Sequence, residues 1–78
     1  MKNIHIAVTD NNTILVKADT ERFGKNAIMF EGRTFMECFD YIRRETGKNH
    51  FQIKHLSIVE PFTDTDGHTM AKNMWIEL

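Results

Sequence analysis

The stretch Arg33 to Lys48 constrains the fold most, because it carries a complete set of helix signals. Thr34 precedes Glu37 by three residues, which is the spacing of a capping box at the start of a helix. Gly47 is the residue type that most often ends a helix in the left-handed conformation. At about 100° per residue, one face of this helix is apolar. Its members are Phe35, Cys38, Phe39, Ile42 and Thr46. The chain is therefore predicted to contain one amphipathic helix whose apolar face must be covered.

Two segments before the helix are predicted to form a β-hairpin. Residues 2–9 and 13–19 both alternate between apolar and polar side chains, as in half-buried strands. A three-residue loop between them places the large apolar side chains on one face, whereas a two-residue loop would mix the faces. The preferred register pairs Ile4, Ile6 and Val8 with Ala18, Val16 and Ile14. Asn12 then takes the left-handed position of the loop, which asparagine tolerates.

Residues 26–31 are predicted to form a third strand. Ile28 and Phe30 alternate onto one face of this strand, and Ala27 and Met29 onto the other. Because both faces are apolar, the pattern does not single out a buried face.

The segment after the helix is predicted to add two more strands. Residues 51–60 form the first, and a change of phase near Lys54-His55 indicates a bulge or a sharp twist. Pro61 has no N–H to donate, so it ends this strand or lies on an edge. Asp66-Gly67 is a strong turn signal. Residues 70–78 then form the last strand.

The predicted fold class is α+β, in one domain covering residues 1–78. A mainly antiparallel sheet of four to five strands, in the order β-β-β-α-β-β, carries one helix on one face. The helix is expected to meet the apolar face of the first hairpin together with Ile76 and Leu78. The opposite face is expected to hold His5, Ala7, Leu15, Phe30 and Trp75. Such a face is too apolar to remain exposed to solvent, and pairing with a second copy of the chain would cover it.

The charge balance excludes a strongly basic nucleic-acid binder. The formal net charge is −1 over 78 residues. Residues 22–54 are nevertheless locally basic, with seven Lys and Arg against four Asp and Glu, whereas residues 55–78 carry one against four. No apolar run is long enough for a membrane span. The single cysteine allows no internal disulfide, so a cytoplasmic location is expected.

Residue types that carry chemistry are present, but their spacing does not indicate a catalytic or metal site. None of the four histidines, His5, His50, His55 and His68, lies at HxH, HxxxH or CxxC-type spacing. The segment Asp64 to Gly67 resembles the opening of a calcium loop but lacks its closing glutamate. Cys38 lies on the apolar helix face, which favours a core residue over a nucleophile. We therefore expect no cofactor and no enzymatic activity.

The leading functional hypothesis is a non-enzymatic interaction module that acts as a homodimer and inhibits or regulates a protein partner. Leu15, Phe30 and Trp75 are the predicted residues of the self-association surface. Asp64 and Asp66 form a predicted acidic tip that would engage a basic surface of the partner.

The alternative hypothesis is weak nucleic-acid binding by the locally basic region 22–54. A basic patch there would bind the phosphate backbone with an affinity that falls with salt. Its candidate residues are Arg22, Lys25, Arg33, Arg43, Arg44 and Lys48. Acidic side chains in the same region oppose this reading, since they neutralise much of the charge locally.

Overall fold

A computed structural model of the chain describes residues 1–55 and 60–78, with only the backbone at His55. Within these residues it contains one helix and seven strands. Their bounds are β1 (Lys2–Val8), β2 (Ile14–Thr20), β3 (Gly24–Gly32), α1 (Phe35–Thr46), β4 (Gln52–His55), β5 (Pro61–Thr63), β6 (Thr69–Ala71) and β7 (Asn73–Glu77). The predicted α+β class is confirmed.

Five strands form one antiparallel sheet in the order β3-β2-β1-β7-β4. The first hairpin has the predicted register, with Val8 opposite Ile14 and Ile6 opposite Val16. Asn12 has φ 64°, which confirms its left-handed position in the loop. The register shifts between Lys2 and His5, at a bulge that the alternating pattern does not predict.

The helix begins and ends as its sequence predicts. The side chain of Thr34 accepts a hydrogen bond from the backbone N–H of Glu37 at 3.2 Å, and the Glu37 carboxylate accepts one from the backbone N–H of Thr34 at 3.4 Å. Gly47 caps the other end with φ 70°. The buried side chains of α1 are Phe35, Cys38, Phe39 and Ile42. They pack on the alternating apolar side chains of β1, β2 and β7 and form one core.

Three predictions about the strands need correction. Residues 70–78 are divided at Lys72 into β6, which pairs with β5, and β7, which joins the large sheet. Leu78 follows the end of β7 and is 51% exposed, so it does not contribute to the core. Pro61 begins a new strand, β5, in a two-stranded sheet where both strands are edges, so the second of its two predicted positions is the one observed. Of the predicted strand 51–60, β4 covers Gln52–His55, and the phase change toward Leu56 lies outside the described residues.

The side of Phe30 was also predicted wrongly. Phe30 lies opposite Val16 on the helix side of the sheet and stacks on Tyr41, with ring centroids 4.7 Å apart. Ile28 lies opposite Lys17 on the other face. The register shifts between these two pairs because β3 has an extra residue, Met29, and this bulge reverses the alternation.

Candidate interaction surface

The sheet face opposite the helix, here called the outer face, carries a row of side chains that crosses all five strands. Residues that pair across antiparallel strands share a face, so the pairings define this row directly. In strand order it consists of Ile28, Lys17, His5, Trp75 and Lys54. A second row beside it consists of Glu31, Leu15, Ala7 and Asn73. The outer face therefore mixes apolar side chains with charges of both signs.

Trp75 is the largest side chain of the outer face and is held in place although it is partly exposed. Its indole stacks on the imidazole of His5, with ring centroids 4.5 Å apart and an angle of 21° between the planes. The side chain is 39% exposed. Ile28, at the β3 end of the row, is 61% exposed. Large apolar side chains that are ordered and exposed on one face are typical of a binding surface.

His5 is half-buried in the middle of this row. Burial lowers the pKa of its imidazole, the nearby Lys17 ammonium lowers it further, and the neighbouring Asn73 side chain partly offsets both effects. Within the described part of the chain, the buried Nε2 atom has no hydrogen-bond partner. The imidazole is therefore neutral at pH 7, and it supports the indole as a largely apolar platform.

The end of the outer face near the N-terminus is fixed by a carboxylate. Asp19 accepts a hydrogen bond from the side chain of Asn3 at 2.8 Å and another from the backbone N–H of Asn26 at 2.8 Å. These hydrogen bonds lower the pKa of the Asp19 carboxyl. Both asparagines have φ 52°, an uncommon value for residues other than glycine. Asp19 thus holds together two backbone irregularities beside a depression of about 410 Å³ that Trp75 also lines.

The three residues predicted to form the self-association surface do not lie together. Trp75 and Leu15 are on the outer face, but Leu15 is only 8% exposed. Phe30 belongs to the helix side and is half-buried there. Ile28 takes the place that Phe30 was expected to hold. The sequence does not show this exchange, because strict alternation puts Ile28 and Phe30 on one face, whereas the bulge at Met29 puts them on opposite faces.

The acidic tip was predicted from two aspartates, and the structure separates them. The Asp64 side chain is fully buried and accepts hydrogen bonds from the backbone N–H groups of Phe35 at 2.9 Å, Asp66 at 3.0 Å and His68 at 2.9 Å. Burial raises the pKa of Asp64, but these hydrogen bonds outweigh it and lower the pKa overall. Asp64 therefore connects the β5–β6 hairpin to the start of α1. Only Asp66 presents its carboxylate to solvent.

The basic residues of the region 22–54 do not gather into one patch. Arg22 and Lys25 lie at the turn between β2 and β3, whereas Arg33 lies at the far end of β3. Arg43 forms an ion pair with Asp40 at 2.9 Å and packs over the Phe51 ring. Two further candidates, Arg44 and Lys48, are exposed at the end of α1.

The single cysteine lies apart from the outer face. Cys38 is fully buried, and burial beside the Glu37 carboxylate raises the pKa of its thiol to about 12, so it is protonated at neutral pH. Within residues 1–55 and 60–78, no three His, Cys, Asp or Glu side chains come together in a way that would hold a metal ion. The one helix described here is too short to cross a bilayer.

Comparisons with known proteins do not add to this description. No protein-family model matches the chain, and neither does any curated protein or solved structure.

Proposed function

We propose that this protein is a small non-enzymatic interaction module that forms a homodimer through its outer face and regulates a protein partner. The observation that carries the proposal is the ordered but exposed Trp75, stacked on His5, in one row with the exposed Ile28. Aromatic side chains held in this way are enriched among the residues that contribute most to protein interfaces.

The geometry favours pairing through the face over pairing through an edge. An unprotected edge strand would invite a second copy to extend the sheet. The edge strand β3 has two register shifts along its nine residues, and bulges of this kind interrupt the regular row of backbone donors and acceptors. The other edge strand, β4, spans four residues in the part of the chain that the structure describes. The outer face is the better candidate because its exposed side chains come from several strands.

Light scattering after size-exclusion chromatography tests the dimer. The wild-type chain is expected to have twice its monomer mass of 9.2 kDa. Trp75→Ala is expected to shift the mass toward the monomer. Phe23→Ala is the matched control, since Phe23 is also an exposed aromatic residue, at 59%, but lies at the β2–β3 turn. A wild-type protein that stays monomeric, or a Trp75→Ala variant that stays dimeric, would contradict the proposal.

The partner of the dimer is proposed to be a protein with a basic surface. Asp66 remains the candidate contact, because it is exposed at the tip of the β5–β6 hairpin while Asp64 is committed to the fold. We place the protein in the cytoplasm, where a single reduced cysteine such as Cys38 is ordinary.

Nucleic-acid binding is the weaker proposal. It would need the basic residues to follow one strip of surface, and Arg22 and Arg33 lie at opposite ends of β3. Its test is a shift of labelled RNA or DNA at low salt that is lost in an Arg43→Glu, Arg44→Glu variant. No shift at low salt would remove it.

A further inference from the structure

The pattern of the outer face restricts how a second copy can dock on it. For two identical sheets packed face to face in the aligned class, the two-fold axis lies between them, close to parallel or close to perpendicular to the strands. Each choice of axis decides which residue of one copy faces which residue of the other. The polarity of the resulting pairs can therefore be compared for every placement.

A perpendicular axis produces unfavourable pairs. Passing through the row of Trp75, it sets Lys17 against Lys17 of the second copy. Passing through the row of Leu15, it sets Glu31 against its own equivalent. Between the two rows, it sets each exposed apolar side chain against a polar one: Ile28 against Glu31, and Trp75 against Asn73. Like charges and unmatched apolar groups that face each other disfavour association.

Only one parallel axis pairs both exposed apolar residues, Ile28 and Trp75, with apolar partners, and it lies between β1 and β2. There Ile28 faces Trp75 of the second copy, and Leu15 faces Ala7. Lys17 faces a neutral His5, while Glu31 faces Asn73. Moving the axis onto β2 sets Lys17 against itself, and moving it onto β1 sets Ile28 against Lys54 and Trp75 against Lys17. Moving it between β1 and β7 sets Lys17 against Lys54, and moving it onto β7 leaves Ile28 without a partner.

We infer that the partner on the outer face is a second copy of this chain, related by a two-fold axis that runs parallel to the strands between β1 and β2. Ile28 of each copy then covers Trp75 of the other, and the apolar pair Leu15 and Ala7 lies at the centre. This inference rests on the proposed homodimer and adds its geometry. Charge and polarity match in every pair of the two rows that this axis creates.

Site-directed cross-linking distinguishes this axis from the others. The variant Glu31→Cys, Asn73→Cys has its new thiols on β3 and β7, three strands and about 14 Å apart within one chain. Facing residues of two packed sheets lie about 10 Å apart, which is farther than the roughly 7 Å between Cα atoms that a disulfide spans, so a short bifunctional thiol reagent is used in place of oxidation. Native Cys38 stays in place because it is buried. After treatment of the dimer with this reagent, a covalent dimer is expected on a denaturing gel, and mass spectrometry of its digest is expected to find position 31 linked to position 73.

Glu31→Cys alone serves as the matched control. It is expected to give no covalent dimer, since the inferred axis leaves the two copies of position 31 three strands apart across the interface. Efficient self-linking of Glu31→Cys, or a light-scattering dimer in which positions 31 and 73 do not link, would overturn the axis and leave the proposed homodimer intact. A wild-type chain that stays monomeric would overturn the proposed function and the axis together.

Discussion

The two faces of the five-stranded sheet are made of similar residue types but have different roles. Ile6, on the helix side, is fully buried, whereas Ile28, on the outer face, is 61% exposed. Both are isoleucines in antiparallel strands of the same sheet. The helix covers the face that contains Ile6 and leaves the face that contains Ile28 exposed. The comparison teaches that folding stability comes from one face, which leaves the other free to be used for binding.

Replacing these two isoleucines by alanine is the most direct way to break the comparison. Ile6→Ala removes packed methyl groups from the core and is expected to lower the free energy of unfolding by about 2–5 kcal/mol. Ile28→Ala is expected to change it by less than about 0.5 kcal/mol in the monomer, because its side chain is exposed. Urea denaturation followed by circular dichroism, at a protein concentration where the monomer prevails, measures both. Equal losses in the two variants would contradict the division of roles.

The covered side also depends on Asp64, which joins the β5–β6 hairpin to the start of α1. Asp64→Asn replaces a carboxylate that accepts three backbone hydrogen bonds and is expected to cost about 2 kcal/mol of unfolding free energy. Asp66→Asn is the control, and should cost less than about 0.5 kcal/mol because Asp66 is exposed.

Asp64 should also make the stability of the fold depend on pH. Because the pKa of Asp64 is lowered on folding, its contribution is present at neutral pH and is lost as the pH falls below the ordinary value of 3.8. The denaturation midpoint of the wild type should fall there more steeply than that of Asp64→Asn. Parallel pH profiles for the two proteins would show that the carboxylate does not act in this way.

A smaller effect of pH on stability is expected from His5, on the outer face. Its pKa is lowered on folding, so below pH 6.5 the unfolded chain binds a proton that the folded chain does not. Stability should therefore decrease as the pH falls from 7.5 to 5.5, and this decrease should be smaller in His5→Asn. An unchanged slope in His5→Asn would place the titrating group elsewhere.

The parts of the fold that the sequence predicts are those decided by neighbouring residues. The capping box at Thr34, the end of the helix at Gly47 and the left-handed Asn12 depend on contacts within a few positions. The register of the first hairpin follows from its short loop and its strict alternation. Local signals of this kind do not change when the rest of the chain packs around them.

The parts that the sequence does not predict depend on distant residues. Asp64 looks like a solvated turn residue until it meets the backbone of Phe35, 29 positions away. The bulge at Met29 reverses the faces of β3, so that Ile28 and not Phe30 belongs to the candidate surface. The apolar residues of β3 fit either face, and only packing against Tyr41 decides between them. Trp75 thus lies on the expected face of the sheet, but the three residues predicted for the surface do not lie together.

The strand order also bears on how the chain folds. β7 lies between β1 and β4, and it pairs Ile4 with Ile76. The meander β1–β2–β3 has only short connections and is able to form early, but β4 has no partner in the large sheet until β7 has docked on β1. Pairing β1 with β7 closes the loop of chain between Ile4 and Ile76, which is entropically costly. Contacts between residues so far apart in the sequence slow folding. We therefore expect the docking of β7 on β1 to be a late step, so that during synthesis the five-stranded sheet is completed only after β7 has left the ribosome.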